Sequence, residues 1–133
     1  IRRPPRSTLD RSSAASDVYK RQNICLSGFS QGCMMSINLG LTSNDSFNCI
    51  VGFSGKIIAK EDLSLRLISK TKTLLIHGEK DEIVPPYNLL EAKDFFTRNN
   101  ISIETLMIKD CDHHIPVEAS SNALKFIKNN FDI

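Results

Sequence analysis

Residues 23–41 read Asn23-Ile24-Cys25-Leu26-Ser27-Gly28-Phe29-Ser30-Gln31-Gly32-Cys33-Met34-Met35-Ser36-Ile37-Asn38-Leu39-Gly40-Leu41. A short apolar run, Ile24 to Leu26, ends at Gly28. From Gln31 onward Met34, Ile37 and Leu41 recur at spacings of three and four, the period of one helix face. A strand therefore gives way to a helix within a few residues, and Ser30 sits at the junction. Gly28-Phe29-Ser30-Gln31-Gly32 has the form G-x-S-x-G, a sharp strand-to-helix turn that lifts a serine hydroxyl into solvent. Such a turn predicts a strained backbone at the serine. It also predicts that a side chain at either glycine would meet the adjacent strand or helix.

Working outward, short apolar runs continue to alternate with amphipathic stretches, as strands alternate with helices in a parallel sheet. Cys49 to Phe53 reads as a second buried strand, closed by Ser54 and Gly55. Ile57 to Thr71 is an ambiguous connection with some helical pattern. Thr73 to Ile76 reads as a central strand ended by His77, Gly78 and the polar Glu79 to Glu82, with Asp81 just beyond it. Pro86 opens a helix with an inward stripe of Leu89, Ala92 and Phe96, which Asn99 and Asn100 stop. Ile101 to Ile108 reads as the fourth strand. Pro116 opens a last helix with Ala119, Ala123, Ile127 and Phe131 at fourfold spacing, so His113 falls in the loop between strand and helix. The class is α/β, a mostly parallel sheet of about four strands with flanking helices. No internal repeat is present.

The first 22 residues do not fit this scheme. They hold five Arg and one Lys, whereas residues 23–133 hold two Arg and nine Lys; Asn is absent from the leader and occurs ten times after it. The leader lacks apolar periodicity, and its Pro, Ser and Arg content reads as disordered. It lacks the apolar stretch of a signal peptide, and its Arg and Ser also fit a transit peptide. The string more closely resembles translated sequencing-adapter sequence, a non-native scar standing where the natural N-terminal part of the protein would be. The organisation expected is thus a leader over 1–22 and a partial domain over 23–133. The charge divides at the same boundary. The whole chain carries +2, but the leader alone carries +4 and the remainder −2, which removes the case for nucleic acid as a partner. No apolar run approaches the roughly 20 residues of a membrane span. Cys25, Cys33, Cys49 and Cys111 show no C-x-x-C spacing, and three lie in or beside strongly apolar segments, which fits a reduced, intracellular setting.

A serine hydroxyl is a weak nucleophile at neutral pH, so a base must take its proton and a further group must orient and stabilise that base. In strand-to-helix serine hydrolases the chain order is Ser, then Asp or Glu, then His, each in a loop after a strand. Ser30, Asp81 and His113 satisfy that order. The carboxyl ends of parallel strands share one edge, so distance along the chain is no obstacle to their meeting. His77, at the end of the strand that supplies Asp81, and His114, beside His113, remain rival bases; Glu79 and Glu82 are rival acids. Asp110, Asp112, His113 and His114 could also be read as metal ligands, but adjacent residues chelate poorly and no spaced His pair is present. No metal is expected. For the oxyanion of an acyl-transfer intermediate, the backbone N–H of Gln31 is the expected first donor, with a second from an early loop upstream of Asn23.

These segments together, Gly28-Phe29-Ser30-Gln31-Gly32, Phe53-Ser54-Gly55, His77-Gly78-Glu79-Lys80-Asp81-Glu82-Ile83-Val84-Pro85 and His113-His114-Ile115, resemble the phospholipase/carboxylesterase family of α/β-hydrolases, which includes acyl-protein thioesterases. The resemblance implies the C-terminal half of an α/β-hydrolase fold, with the early strands and oxyanion loop not represented. It implies hydrolysis of carboxylic esters or thioesters through an acyl-serine intermediate, without cofactor. Ser30 matches the nucleophile, Asp81 the acid and His113 the base, and the setting is cytoplasmic. The partners implied are small ester or thioester substrates, acylated proteins or lysophospholipids. Cys33 stands where the family usually has a second glycine, and Cys111-Asp112 replaces a glycine-containing approach to the histidine. Two readings stand beside this one: an inactive truncated fragment with an uncovered sheet edge, and a metal-dependent hydrolase.

Overall fold

The computed structural model describes residues 23–44 and 47–132. The leader read over residues 1–22 lies outside them. In chain order the elements are β1 (Cys25–Phe29), α1 (Gln31–Thr42), β2 (Cys49–Phe53), α2 (Lys60–Arg66), β3 (Thr73–Gly78), α3 (Tyr87–Arg98), β4 (Ile103–Ile108) and α4 (Val117–Phe131). The four strands form one sheet in the order β1-β2-β3-β4, every neighbouring pair parallel. The α/β class and the parallel sheet follow the alternation of runs in the sequence. The ambiguous connection contains the seven-residue α2.

Every residue of β2 and β3 is buried, as expected of strands covered on both faces. Ile37 and Leu41 of α1, Leu63 of α2 and Leu89, Ala92, Phe95 and Phe96 of α3 pack with Ile50 and Leu75 on one face of the sheet. On the other face α4 lays Ala119, Ala123 and Phe126 against Cys49, Val51, Phe53, Leu74, Ile76 and Ile108. Adjacent strand residues thus serve opposite cores, which is why their apolar runs are continuous rather than alternating.

Two expectations need correction. The fourth strand begins at Ile103 rather than Ile101. Asn100 adopts φ 58, the Asn100 N–H donates to Thr97 O (3.1 Å) and the Ile101 N–H donates to Phe96 O (2.9 Å). This double bond pattern after a left-handed residue closes the last turn of α3, and its usual apolar contact is present, since Ile101 and Phe96 share one core. Ile101 is therefore a helix stop with an apolar side chain. In α4, the inward residue after Ala123 is Phe126, whereas Ile127 and Phe131 are only partly buried. A fourfold spacing drifts about 40° per step against the 3.6-residue turn, so the buried stripe must return to a step of three. Accordingly, Phe126→Ala should cost about 3 kcal/mol in urea denaturation and Ile127→Ala about half that, because the cost follows the volume emptied in a closed core.

Candidate active site

Since all four strands run the same way, Ser30, Ser54, Glu79 and Lys109 each follow the end of a strand along one edge of the sheet. Ser30 has φ 57 and ψ −113, a backbone conformation that L-residues rarely adopt and that costs on the order of 1–3 kcal/mol. The Ser30 N–H donates to Phe53 O at 2.8 Å, so the end of β2 holds the turn, while Ser30 O accepts from the Met34 N–H at 3.2 Å and begins α1. A Cβ on Gly28 would lie 2.2 Å from the Gly32 carbonyl carbon, whereas a Cβ on Gly32 would meet nothing within 4 Å. Only the first glycine is therefore a steric requirement; the expectation for Gly32 does not hold, because its hydrogens face open space.

Asp81 lies in the turn after β3 and is 3% exposed. Its Oδ1 accepts the backbone N–H groups of Ile83 (2.9 Å) and Val84 (2.8 Å), and its Oδ2 lies 2.6 Å from His113 Nδ1. The His113 Nε2 is in turn 3.1 Å from Ser30 Oγ. Burial works to raise the Asp81 carboxyl, but the hydrogen bond from His113, the two backbone donors and the imidazole charge outweigh it and hold the group below its usual 3.8. An ionised carboxylate can only accept, so the His113 proton sits on Nδ1 and leaves Nε2 as the acceptor for the Ser30 O–H. Phe29 braces the other side of the imidazole, ring centroids 4.7 Å apart and planes at 46°.

The loop that carries His113 is laid directly across Gly78. A Cβ there would come 2.4 Å from both Cys111 O and Asp112 O. Further anchors are the Lys80 N–H to Cys111 O (2.8 Å) and the Glu79 N–H to Ile108 O (2.9 Å). Despite Cys111-Asp112 in the approach, the loop reaches the site, with Cys111 buried beneath it. Gly78 was read in sequence only as a strand end; its requirement comes from a backbone 30 or more residues away.

The rival candidates have other partners. His77 is buried and its Nε2 donates to Val84 O at 2.7 Å, with Asp81 Oδ2 3.5 Å away. It clamps the same turn whose N–H groups hold Asp81, a role no sequence signal beyond its strand-end position suggested. His114 is exposed and its Nδ1 pairs with the Asp112 carboxylate. Glu79 accepts the Asp110 N–H at 3.3 Å, and Asp110 pairs with Lys80 at 2.9 Å. Glu82 is exposed and lines a shallow cleft with Lys80, Ile83, Asp112 and His113. Asp110 thus goes to Lys80 and His113 to Asp81, while Asp112 and His114 pair with each other, and the four do not converge on one point. Gln31 is exposed as the first residue of α1, where backbone N–H groups have no helical acceptor and the positive end of the helix dipole lies beside Ser30.

The sequence matches the phospholipase/carboxylesterase family over residues 6–131. The chain belongs to that family. Among solved structures, esterase PE8 is 29% identical with a TM-score of 0.78, the match covering 86% of this chain and 55% of that one. SOBER1 from Arabidopsis thaliana superposes with a TM-score of 0.81 at 16% identity, over 93% of this chain and 62% of that one. Acyl-protein thioesterase 2 from Zea mays gives 0.68 at 20% identity, over 90% and 63%. The fold is that of the α/β-hydrolases, and the chain spans 55 to 63% of the length of these three structures. In this chain Gly52 and Gly55 leave a hollow for the thiol at position 33: a Cβ on Gly52 or Gly55 would come within 2.3 or 2.5 Å of Cys33 Sγ.

Three outcomes follow from this geometry. Gly28→Ala should lose about 3 kcal/mol of stability, since backbone on both sides must move. Gly32→Ala should be neutral or gain up to about 1 kcal/mol from helix propensity; urea melts of both variants check this. The lowered carboxyl of Asp81 stabilises the fold above its usual value, and the contribution is lost as pH falls through the folded value. The advantage of the wild type over Asp81→Asn, measured by denaturation at a series of pH values, should therefore shrink as pH is taken below 3.8.

Proposed function

We propose that this protein is a serine hydrolase that cleaves carboxylic esters or thioesters through an acyl-serine intermediate. The observation that carries the reading is the continuous hydrogen-bonded path from Ser30 Oγ through His113 to the buried Asp81, with distances of 3.1 and 2.6 Å. Membership of the phospholipase/carboxylesterase family supports the ester-hydrolase class, and the resemblance to an acyl-protein thioesterase supports thioesters as substrates.

Ser30 Oγ attacks the substrate carbonyl carbon while its proton passes to His113 Nε2. Asp81 keeps the proton of Nδ1 directed at itself and stabilises the imidazolium that forms. The carbonyl oxygen becomes an oxyanion facing the Gln31 N–H at the start of α1. Collapse of the tetrahedral species breaks the bond to the alcohol or thiol, which leaves with the proton from His113. Water, deprotonated by the same imidazole, then attacks the acyl-serine and restores Ser30. The strained turn serves this chemistry by holding Oγ clear of the helix and fixing it before substrate arrives. The substrates proposed range from small acyl esters to acylated proteins and lysophospholipids. A cytoplasmic setting is proposed with them, supported by four unpaired cysteines.

Hydrolysis of a short-chain nitrophenyl ester tests the reading. Ser30→Ala and His113→Ala should each lower kcat by at least about 10³-fold with the fold intact by circular dichroism. The double variant should lose little more than either single one, because the groups act as a unit. Turnover that persists in Ser30→Ala would refute the assignment, and turnover abolished by a chelator would favour the metal-dependent reading.

A further inference from the structure

The four cysteines occupy three kinds of environment. Cys33 fills the hollow left by Gly52 and Gly55, and burial pushes its thiol up to about 12. Cys111 is buried under the His113 loop, its Sγ 3.3 Å from Asp112 O, and burial followed by the Asp112 charge raises it too. Neither supplies a thiolate at neutral pH. Cys25 and Cys49 are different. They are direct register partners on the parallel strands β1 and β2. Both side chains lie on the face covered by α4, and the Cys25 Sγ–H donates to Leu26 O at 3.6 Å. Neighbouring strands run about 4.8 Å apart, inside the Cα separation of about 4.4–6.8 Å that a disulfide spans. Cys25 is partly exposed, whereas Cys49 is fully buried behind it.

We propose that Cys25 and Cys49 form a reversible dithiol–disulfide site, oxidised by hydroperoxides, which ties β1 to β2 at the end of the sheet remote from Ser30. The remoteness follows from length: Cys25 opens β1, and the strand's rise of about 3.3 Å per residue carries Ser30 roughly 16 Å away. The site does not rest on the esterase reading. Cys25 is the thiol that peroxide can reach, and its Cys49 neighbour lowers it, while the same pairing and burial hold Cys49 well above its usual value, so Cys25 is the attacking sulfur and Cys49 the resolving one. The Cys25 thiolate attacks one peroxide oxygen. The O–O bond breaks, the leaving oxygen takes a proton and departs as water, and Cys25 becomes a sulfenic acid. The Cys49 sulfur then attacks the Cys25 sulfur, an S–S bond forms as the S–O bond breaks, and the hydroxide leaves with the Cys49 proton as a second water. In sum, two thiols and one hydrogen peroxide give one disulfide and two waters. A low-molecular-weight thiol reverses the step by exchange.

The test is to treat the full chain with one equivalent of hydrogen peroxide and map its peptides without reduction. The expected result is a cross-linked pair containing Cys25 and Cys49, two hydrogens lighter than the sum of the free peptides. Free thiols counted in denaturant should fall from four to two and return to four after dithiothreitol. In Cys49→Ser, Cys25 should stop at the sulfenic acid and be captured by a 1,3-diketone. A cross-link through Cys33 or Cys111, or Cys25 modified in the wild type without a link to Cys49, would overturn the proposal. So would four surviving thiols under conditions that consume glutathione. Should the Cys49→Ser chain fail to fold, the wild-type peptide map decides alone.

Discussion

The parallel register of the sheet is the constraint on which everything else depends. Because β1 to β4 all run the same way, each strand delivers its following loop to one edge, and the residues after β1, β3 and β4 meet there although up to 83 positions separate them in the chain. Parallel neighbours require a crossover between them, and among the described residues the crossover helices α1, α2 and α3 bury one face while α4, after β4, buries the other. The same arrangement that builds two hydrophobic cores therefore builds the rim on which Ser30, Asp81 and His113 sit.

At that rim, the backbone does most of the positioning. The strained turn at Ser30 is held from three sides: by the Phe53 carbonyl, by the first turn of α1, and by the absence of a side chain on Gly28. Asp81 is held by two N–H groups of its own turn, and that turn is closed from behind by the His77 ring on Val84 O. A buried carboxylate without such donors would shed its charge by protonation. With them it stays ionised, and this is what fixes the tautomer of His113 and leaves its outer nitrogen free to accept from the serine. Strain, charge and proton position along the Ser30–His113–Asp81 path thus depend on hydrogen bonds from neighbouring backbone and from His77.

The cysteines illustrate how far environment outweighs residue type. One thiol fills a glycine-lined hollow, one lies under a loop, and two face each other across neighbouring strands, so chemically identical groups differ in which can ever become a thiolate. Their spacing in the chain carries none of this. The register that pairs position 25 with position 49 is set by the sheet.

What the amino-acid sequence determined by itself is the alternation of strand and helix, the junction at Ser30, and a short set of candidates for acid and base, since each depends on neighbours within a few residues. Hydrophobic period, proline at helix starts and glycine at a sharp turn are local signals, and they located β2 to the residue. Local signals also misled. Ile101 is as apolar as a strand residue but closes α3, and a fourfold stripe in α4 pointed to Ile127 where the core takes Phe126. Chain order and the family resemblance already favoured Asp81 and His113 over His77, His114, Glu79 and Glu82, but which of them lie within hydrogen-bond reach of one another and of Ser30 belonged to the tertiary structure. His113 and His114 are adjacent, and Glu79, Asp81 and Glu82 lie within four positions, so only the path of the loop over Gly78 decides which imidazole reaches the serine. The need for Gly78 and the freedom at Gly32 were settled in the same way, because what a Cβ would meet is set by chain segments that the sequence near it does not contain.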